Sequence, residues 1–267
     1  MTTAPVDPTA LLDLATRAAR AAGVELMSRY GRIQGLDTKT SVTDPVSDAD
    51  RAAEQILVEL ITGERPDDGL LGEEGADRPS RSGIRWVVDP LDGTVNYLYQ
   101  LDNFSVSVAA EDAEGALVGV VHNPVTDRTF HAIRGAGAAV DGTPLRANDP
   151  VPLDRALVAT GFGYEAERRR VQGALIATLL PRVRDIRRMG SAALDLCAVA
   201  SGAVDGYFEE GVKAWDVAAG GLIAREAGAR YAVVTPTGAE TGCLAAGPAL
   251  FDELLAALNE PGVPTPG

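Results

Sequence analysis

Histidine and cysteine are nearly missing from this chain of 267 residues, which has two of each. A zinc centre built from imidazole and thiolate ligands is therefore close to excluded. His122 and His131 fall in strand-like stretches and read as backbone-satisfied strand residues. Cys197 and Cys243 each sit inside an apolar stretch and cannot form a disulfide framework, so they read as buried free thiols of a reducing cytosol. Positive charge is also scarce. Lys and Arg number 24 against 38 Asp and Glu, leaving a formal net charge of −14. Such a surface repels nucleic acid and anionic lipid, and the expected partners include neither. No apolar run reaches the roughly 18 residues of a membrane span. No basic N-terminal segment leads into an apolar core, so the chain reads as a soluble cytoplasmic protein. Internal repeats are absent, and biased composition is confined to the Pro-, Thr- and Gly-rich ends, 1–7 and 261–267.

What remains is ordinary globular composition, 46% apolar and 23% charged, with enough length for one large core or two medium lobes. Leu11, Leu12, Ala15, Ala18, Ala19, Ala22 and Leu26 predict an amphipathic helix ending near Gly31. After a polar turn, Ala53, Ile56, Leu57, Leu60 and Ile61 predict a second. From Gly69 the pattern turns to strands: Trp86–Val88, Phe104–Ala110, Ala116–Val121 and Thr129–Ile133, with a turn at Glu114-Gly115. Near Pro150 the type begins to alternate. Strands at Ala156–Thr160, Val183–Arg187, Val204–Glu209 and Arg230–Val234 are interleaved with helices at Glu165–Leu180, Ala192–Ser201 and Asp216–Ala227. The expected fold class is α/β in two lobes: an α+β lobe with a mostly antiparallel sheet over 1–150, and an α/β lobe over 151–267.

Four acidic segments punctuate this pattern: Asp44, Asp48 and Asp50; Gly72-Glu73-Glu74-Gly75; Val87-Val88-Asp89-Pro90-Leu91-Asp92-Gly93-Thr94; and Trp215-Asp216. The third ends a buried strand, where an unpaired carboxylate is costly and a cation is a natural partner. Pro90 removes a backbone donor and fixes φ, leaving the Leu91 carbonyl available, and Asp92 can face the same point as Asp89. Gly93 and Thr94 open a possible helix N-terminus, whose free N–H groups suit phosphate. Oxygen donors without His or Cys select a hard ion such as Mg²⁺.

Gly72-Glu73-Glu74, Trp86 through Asn96, and Trp215-Asp216-Val217-Ala218-Ala219-Gly220, with Gly190-Ser191-Ala192-Ala193 between them, are similar to the signature blocks of the inositol monophosphatase family. They fall in the family's order, and the likeness runs from about Leu11 to Ala256. The resemblance implies a layered αβαβα sandwich, two or three Mg²⁺ ions, lithium sensitivity and a homodimer. It implies one cation site from Glu73, Asp89 and the Leu91 carbonyl, and a second from Asp89, Asp92 and Asp216. Glu73, Thr94 and Asp50 become catalytic, the last two orienting and deprotonating the attacking water. Asp92, Gly93, Thr94, Gly190, Ser191, Ala192 and Glu209 become substrate contacts, with Lys39 on a loop over the site. The implied reaction is hydrolysis of inositol 1-phosphate by two-metal phosphoryl transfer, without a covalent intermediate. Relatives act on histidinol phosphate, fructose 1,6-bisphosphate or 3′-phosphoadenosine 5′-phosphate. Thr94-Val95-Asn96 and the placing of Glu209 before Trp215 look closer to the inositol branch, while Val95 and Ser191 replace residues often Thr in relatives.

Plainer readings accompany each residue. Glu73 and Glu74 can be a solvated turn, Asp89–Thr94 a strand-ending turn, Asp216 an N-cap, Lys39 a surface charge, and Glu209 the partner of a nearby base. Asp44 and Asp48 read as loop solvation, and Trp86 and Trp215 as core anchors. Gly161-Phe162-Gly163-Tyr164-Glu165-Ala166 fits the dinucleotide fingerprint G-x-G-x-x-A, but Asp185 falls within the next candidate strand instead of at its end. A haloacid-dehalogenase D-x-D-x-T motif fails because Asp89 and Asp92 are one residue too far apart. The rival from another class is a binding or regulatory protein that kept this fold and lost the activity.

Overall fold

The computed structural model describes residues 6–31, 37–38, 45–46, 48–238 and 241–260. Helix α1 (Pro8–Arg29) begins with Pro at its first position behind Asp7, whose carboxylate accepts the Thr9 N–H at 2.9 Å. Its buried stripe of Leu11, Leu14, Ala15, Ala18, Ala19, Ala22 and Leu26 recurs at helical period. A two-residue pair, β1 (Asp37–Thr38) and β2 (Pro45–Val46), precedes α2 (Asp48–Glu64). The stripe of α2 buries Ala53, Leu57 and Ile61, with Ile56 and Leu60 at its half-buried margin. It also buries two acids one turn apart, Asp50 and Glu54. Burial of that kind requires polar partners.

The first sheet has eight strands: β3 (Gly69–Gly72), β4 (Asp77–Arg78), β5 (Arg85–Asp92), β6 (Ser105–Asp112), β7 (Gly115–Asn123), β8 (Arg128–Ile133), β9 (Gly137–Val140) and β10 (Thr143–Pro144). Their order is β10-β9-β8-β7-β6-β5-β3-β4, antiparallel except for β3 with β5. A short helix, α3 (Thr94–Leu98), follows β5. The second sheet contains β11 (Leu157–Thr160), β12 (Asp185–Arg187), β13 (Gly206–Glu210), β14 (Arg230–Val234) and β15 (Gly242–Ala246), in the order β12-β11-β13-β15-β14. Its helices are α4 (Ala166–Leu179), α5 (Ala192–Ala200), α6 (Ala214–Glu226) and α7 (Pro248–Leu258).

Five layers result. Helices α1 and α2 cover one face of the first sheet through a core containing Trp86, Tyr97 and Phe104. Helices α5 and α6 fill the space between the sheets, packing Ala193, Leu194, Cys197, Ala219, Leu222 and Ile223 on the first and Leu196, Val199 and Ala224 on the second. Helices α4 and α7 close the far side. The expected α/β class and αβαβα layering are thus present. The middle layer is encoded after residue 150 yet packs on both sheets. The strand β15 and helix α7 had no counterpart in the periodicity reading. β15 is a run of small residues, Gly242-Cys243-Leu244-Ala245-Ala246, buried on both faces and therefore without alternation.

Candidate active site

The Asp89–Asp92 stretch lies in β5, between β3 and β6. In a regular strand, residues three apart point to opposite faces. Here Asp89 pairs with Ser107 and Asp92 with Ser105, so three steps along β5 match two along β6. This bulge turns both carboxylates to one face, and Pro90 sits inside it, where its missing N–H does not break the ladder. Asp89 Oδ1 accepts the Leu91 N–H at 2.9 Å. Gly93 then adopts φ +96°, in the left-handed region, with the Asn103 carbonyl 3.0 Å from where a Cβ would stand. Asn96 clamps the turn by donating Nδ2 to the carbonyls of Asn103 and Met189, at 2.6 and 2.7 Å. The Thr94 hydroxyl donates to the Leu91 carbonyl at 3.1 Å, which leaves that oxygen a second lone pair.

Other segments converge on this turn. Ser191 is the N-cap of α5, and its hydroxyl donates to Asp92 Oδ2 at 2.6 Å. The Ala193 N–H donates to the same carboxylate at 2.7 Å and the Ala192 N–H at 3.3 Å. Asp216 is the third residue of α6, accepting the Lys213 N–H at 2.5 Å, so it caps the helix from inside the first turn. Glu54 accepts the N–H groups of Glu74 and Ala76 at 2.8 and 3.1 Å, pinning the turn that carries Glu73.

A cavity of about 340 Å³ opens between these elements. Glu73, Asp89, Leu91, Asp92, Gly93, Thr94, Gly190, Ala192, Glu209 and Asp216 all line it. Ser191 lies just behind the wall. Asp50 is buried at 1% exposure and does not line the cavity, but it is near enough to raise the pKa of Asp89. Lys39 and Asp44 lie outside the described residues. Asp48, the first residue of α2, is exposed and paired with Arg51 at 2.6 Å, in keeping with a solvated role.

Burial first, then mutual repulsion, holds Asp89 and Asp216 well above the usual carboxylate range. Burial also pushes Asp92 up to about 6, against the opposing pull of its three hydrogen bonds. A divalent cation relieves such a set, and carboxylates with a main-chain carbonyl fit a hard ion. Among the described residues no three acidic, histidine or cysteine side chains already converge on an ion. The fit therefore rests on donor chemistry and the shared cavity. Glu73, Asp89, Leu91, Asp92 and Asp216 would hold the metal.

The family model for the Inositol monophosphatase family matches residues 7–261. The chain belongs to that family. It is 43% identical over 252 residues to an Inositol-1-monophosphatase of Mycobacterium bovis, covering 90% of this chain and 87% of that one. It is 45% identical over 221 residues to a protein named Nus factor SuhB from Pasteurella multocida, covering 82% and 83%. Among solved structures, the extragenic suppressor protein suhB of Bartonella henselae superposes with a TM-score of 0.87 at 34% identity, covering 94% of this chain and 99% of that one. Mycobacterium tuberculosis SuhB superposes at 0.82 with 39% identity, covering 97% and 99%. As a member of this metal-dependent family, the chain is a phosphoric monoester hydrolase.

Sequence reasoning missed the opposite wall of the inositol monophosphatase-type cavity. Phe162, Gly163, Tyr164, Glu165 and Arg168 line it, as do Arg188 and the run Glu210–Lys213. The available signals were the triplet Arg168-Arg169-Arg170 and the pair Arg187-Arg188 just before Gly190. Trp215 packs half-buried against the core between the sheets, as expected of an anchor, and also lines the cavity. Trp86 is fully buried, with Nε1 donating to Asp68 Oδ2 at 2.9 Å. His122 hydrogen-bonds the backbone of Arg128, as expected, and its Nδ1 also meets the Thr129 hydroxyl at 3.0 Å. Both cysteines are buried free thiols, as expected. No described helix is long and apolar enough to cross a membrane.

Proposed function

We propose that this chain hydrolyses inositol 1-phosphate to inositol and phosphate, with Mg²⁺ as the ion. The observation that carries the reading is the bulge in β5, which turns Asp89 and Asp92 to one face beside Glu73 and Asp216 in a single cavity. When bound there, two cations would acidify a water and neutralise the leaving alkoxide. The protein's own groups do the rest. With its proton committed to the Leu91 carbonyl, the Thr94 oxygen has lone pairs with which to orient that water. Asp50, buried on α2, is the proton acceptor. The N–H groups of Gly93 and Thr94 face phosphate oxygens, and Arg168, Arg188 and Lys213 on the opposite wall attract an anion into an acidic protein. Glu209 and Ala192 meet the polyol. Lithium inhibition and a homodimer accompany the family reading.

Phosphate release from inositol 1-phosphate, histidinol phosphate, fructose 1,6-bisphosphate and 3′-phosphoadenosine 5′-phosphate at millimolar Mg²⁺ tests the substrate. Preference for one of the last three would replace the inositol assignment, and full activity in excess EDTA would remove the metal. The relative named Nus factor SuhB favours a second, added role as a regulatory factor. A catalytically dead variant that still supports that role in cells would separate the two.

A further inference from the structure

Tyr207 and Glu209 alternate along β13, so their side chains leave the strand on the same face. The fully buried Tyr207 hydroxyl donates to Glu209 Oε2 at 2.9 Å. Beside β13 runs β11, in parallel register, with Ala159 opposite Tyr207 and Thr160 opposite Phe208. The next residue along β11 is Gly161. A Cβ built on Gly161 would overlap the Glu209 carboxyl group, with Oε2, Cδ and Oε1 as its three nearest atoms. The carboxyl group thus occupies the place a side chain at 161 would take. Gly161 is absent from the glycines of positive φ, so its backbone is one alanine adopts without strain. The G-x-G-x-x-A pattern at 161–166 therefore has a packing cause at its first glycine. Its second, Gly163, donates its N–H to Gln172 Oε1 at 2.9 Å.

We infer that Gly161 is a specificity-determining residue: the missing side chain at the end of β11 gives the Glu209 carboxylate its place on the cavity wall, where it accepts hydroxyls of a polyol phosphate. The inference rests on the reading of Glu209 as the polyol contact. Because the carboxylate ends a flexible side chain, a methyl group at 161 displaces it and leaves the backbone in place. The turn of Asp89–Thr94 belongs to the other sheet and is untouched. Phosphate handling and polyol recognition are thereby separable at one position.

The test compares Gly161→Ala, Glu209→Gln and the double variant in the full chain with Mg²⁺, on inositol 1-phosphate and on p-nitrophenyl phosphate, which has no hydroxyls to read. For Gly161→Ala the expected result is a KM for inositol 1-phosphate raised about tenfold, the loss of a hydrogen bond to a charged group. Kinetics on p-nitrophenyl phosphate should stay within about twofold, and Glu209→Gln should add little in the double variant. A crystal structure of Gly161→Ala should have the carboxylate rotated off the wall. An unmoved carboxylate, an equal rise in KM on both substrates, or a variant that does not fold would overturn the inference. If Glu209→Gln raises KM for inositol 1-phosphate while Gly161→Ala does not, the inference fails and the reading of Glu209 stands. Should Glu209→Gln leave both substrates unaffected, the polyol reading fails, and the crystal structure alone decides whether Gly161 places the carboxylate.

Discussion

The two walls of the cavity are built in opposite ways. One is compact in sequence: Asp89 to Thr94 is a single stretch of chain, joined by Glu73 from the turn after the neighbouring β3 and by Asp216 from the start of α6. The other is assembled from Phe162–Arg168 after β11, Arg188–Ala192 leading into α5, and Glu209–Lys213 from the end of β13 up to α6. The first wall holds acids against one another and is fixed by backbone hydrogen bonds, a bulge and the pinned turn at Glu54. The second mixes bases, acids and aromatic rings on element ends and loops. Chemistry that needs close-set charges is placed where the backbone is most constrained. Recognition of the rest of the substrate is placed where segments can vary independently.

The largest effect should come from breaking the compact wall. Asp89→Asn keeps the acceptor for the Leu91 N–H and removes a buried charge. Turnover should fall by about a thousandfold or more, since metal catalysis is lost. The unfolding temperature without metal should hold or rise as repulsion is relieved. A variant that turns over normally would take Asp89 out of the chemistry.

A smaller effect is expected one layer behind that wall. Glu54 touches no cavity atom, yet both its oxygens accept N–H groups of the turn carrying Glu73. Glu54→Gln replaces one acceptor by a donor and leaves a buried N–H unpaired, costing about 1–3 kcal/mol. Activity should drop by about 10–100-fold, as when groups supporting metal ligands are lost, with partial recovery at high Mg²⁺. Unchanged Mg²⁺ dependence would make Glu54 purely structural.

On the dispersed wall the effect should be selective. Glu209→Gln should raise KM about tenfold for inositol 1-phosphate and leave p-nitrophenyl phosphate nearly unaffected. Equal changes on both would assign Glu209 to the scaffold and erase the contrast between the walls.

This contrast also explains what was readable from sequence alone. The α/β class followed from the one-sided helical periodicity of α1 and α2, the apolar runs of β5–β8 and the alternation after Pro150. The layering came from the family pattern. The strand β15 carried no such signal, because Gly242-Cys243-Leu244-Ala245-Ala246 has neither alternation nor a β-branched or aromatic residue. Asp89, Asp92, Glu73 and Asp216 were legible because acids beside a buried strand or helix start are conspicuous. Glu209 was assigned through the family pattern alone, and Asp50, though seen in an acidic turn, took its role from the same pattern. Arg168 and Arg188 drew no reading, since only the folded chain brings them to the cavity. Gly161 was seen, but as half of a nucleotide motif; the carboxylate that fills its space comes from a strand 48 residues on.

The finest distinction between the walls should appear in the pH dependence of stability. Asp89, Asp92 (about 6) and Asp216 on the acidic wall all have raised values, and burial is the first cause of each. Glu209, on the other wall, is pushed up to about 7 by burial, despite the Tyr207 hydrogen bond. Asp195, one turn into α5, is raised as well, and neither of its oxygens has a hydrogen-bond partner. A carboxyl group whose pKa is raised on folding binds more protons folded than unfolded, so its protonation favours the fold. In EDTA, stability should therefore rise as pH falls from about 8 towards 5, through the raised values and down to the ordinary carboxylate range. Saturating Mg²⁺ holds Asp89, Asp92 and Asp216 ionised in the folded state and should flatten most of that slope. What remains belongs to Glu209, Asp195 and Glu54, opposed by His122, whose value burial lowers so that its protonation disfavours the fold. The step near 7 should vanish in Glu209→Gln. Thermal unfolding across this range, with EDTA and with Mg²⁺, reads both walls in one experiment. A slope that Mg²⁺ does not change would mean the acidic wall binds no ion. A slope of the opposite sign in EDTA would mean its carboxylates are charged and satisfied without one.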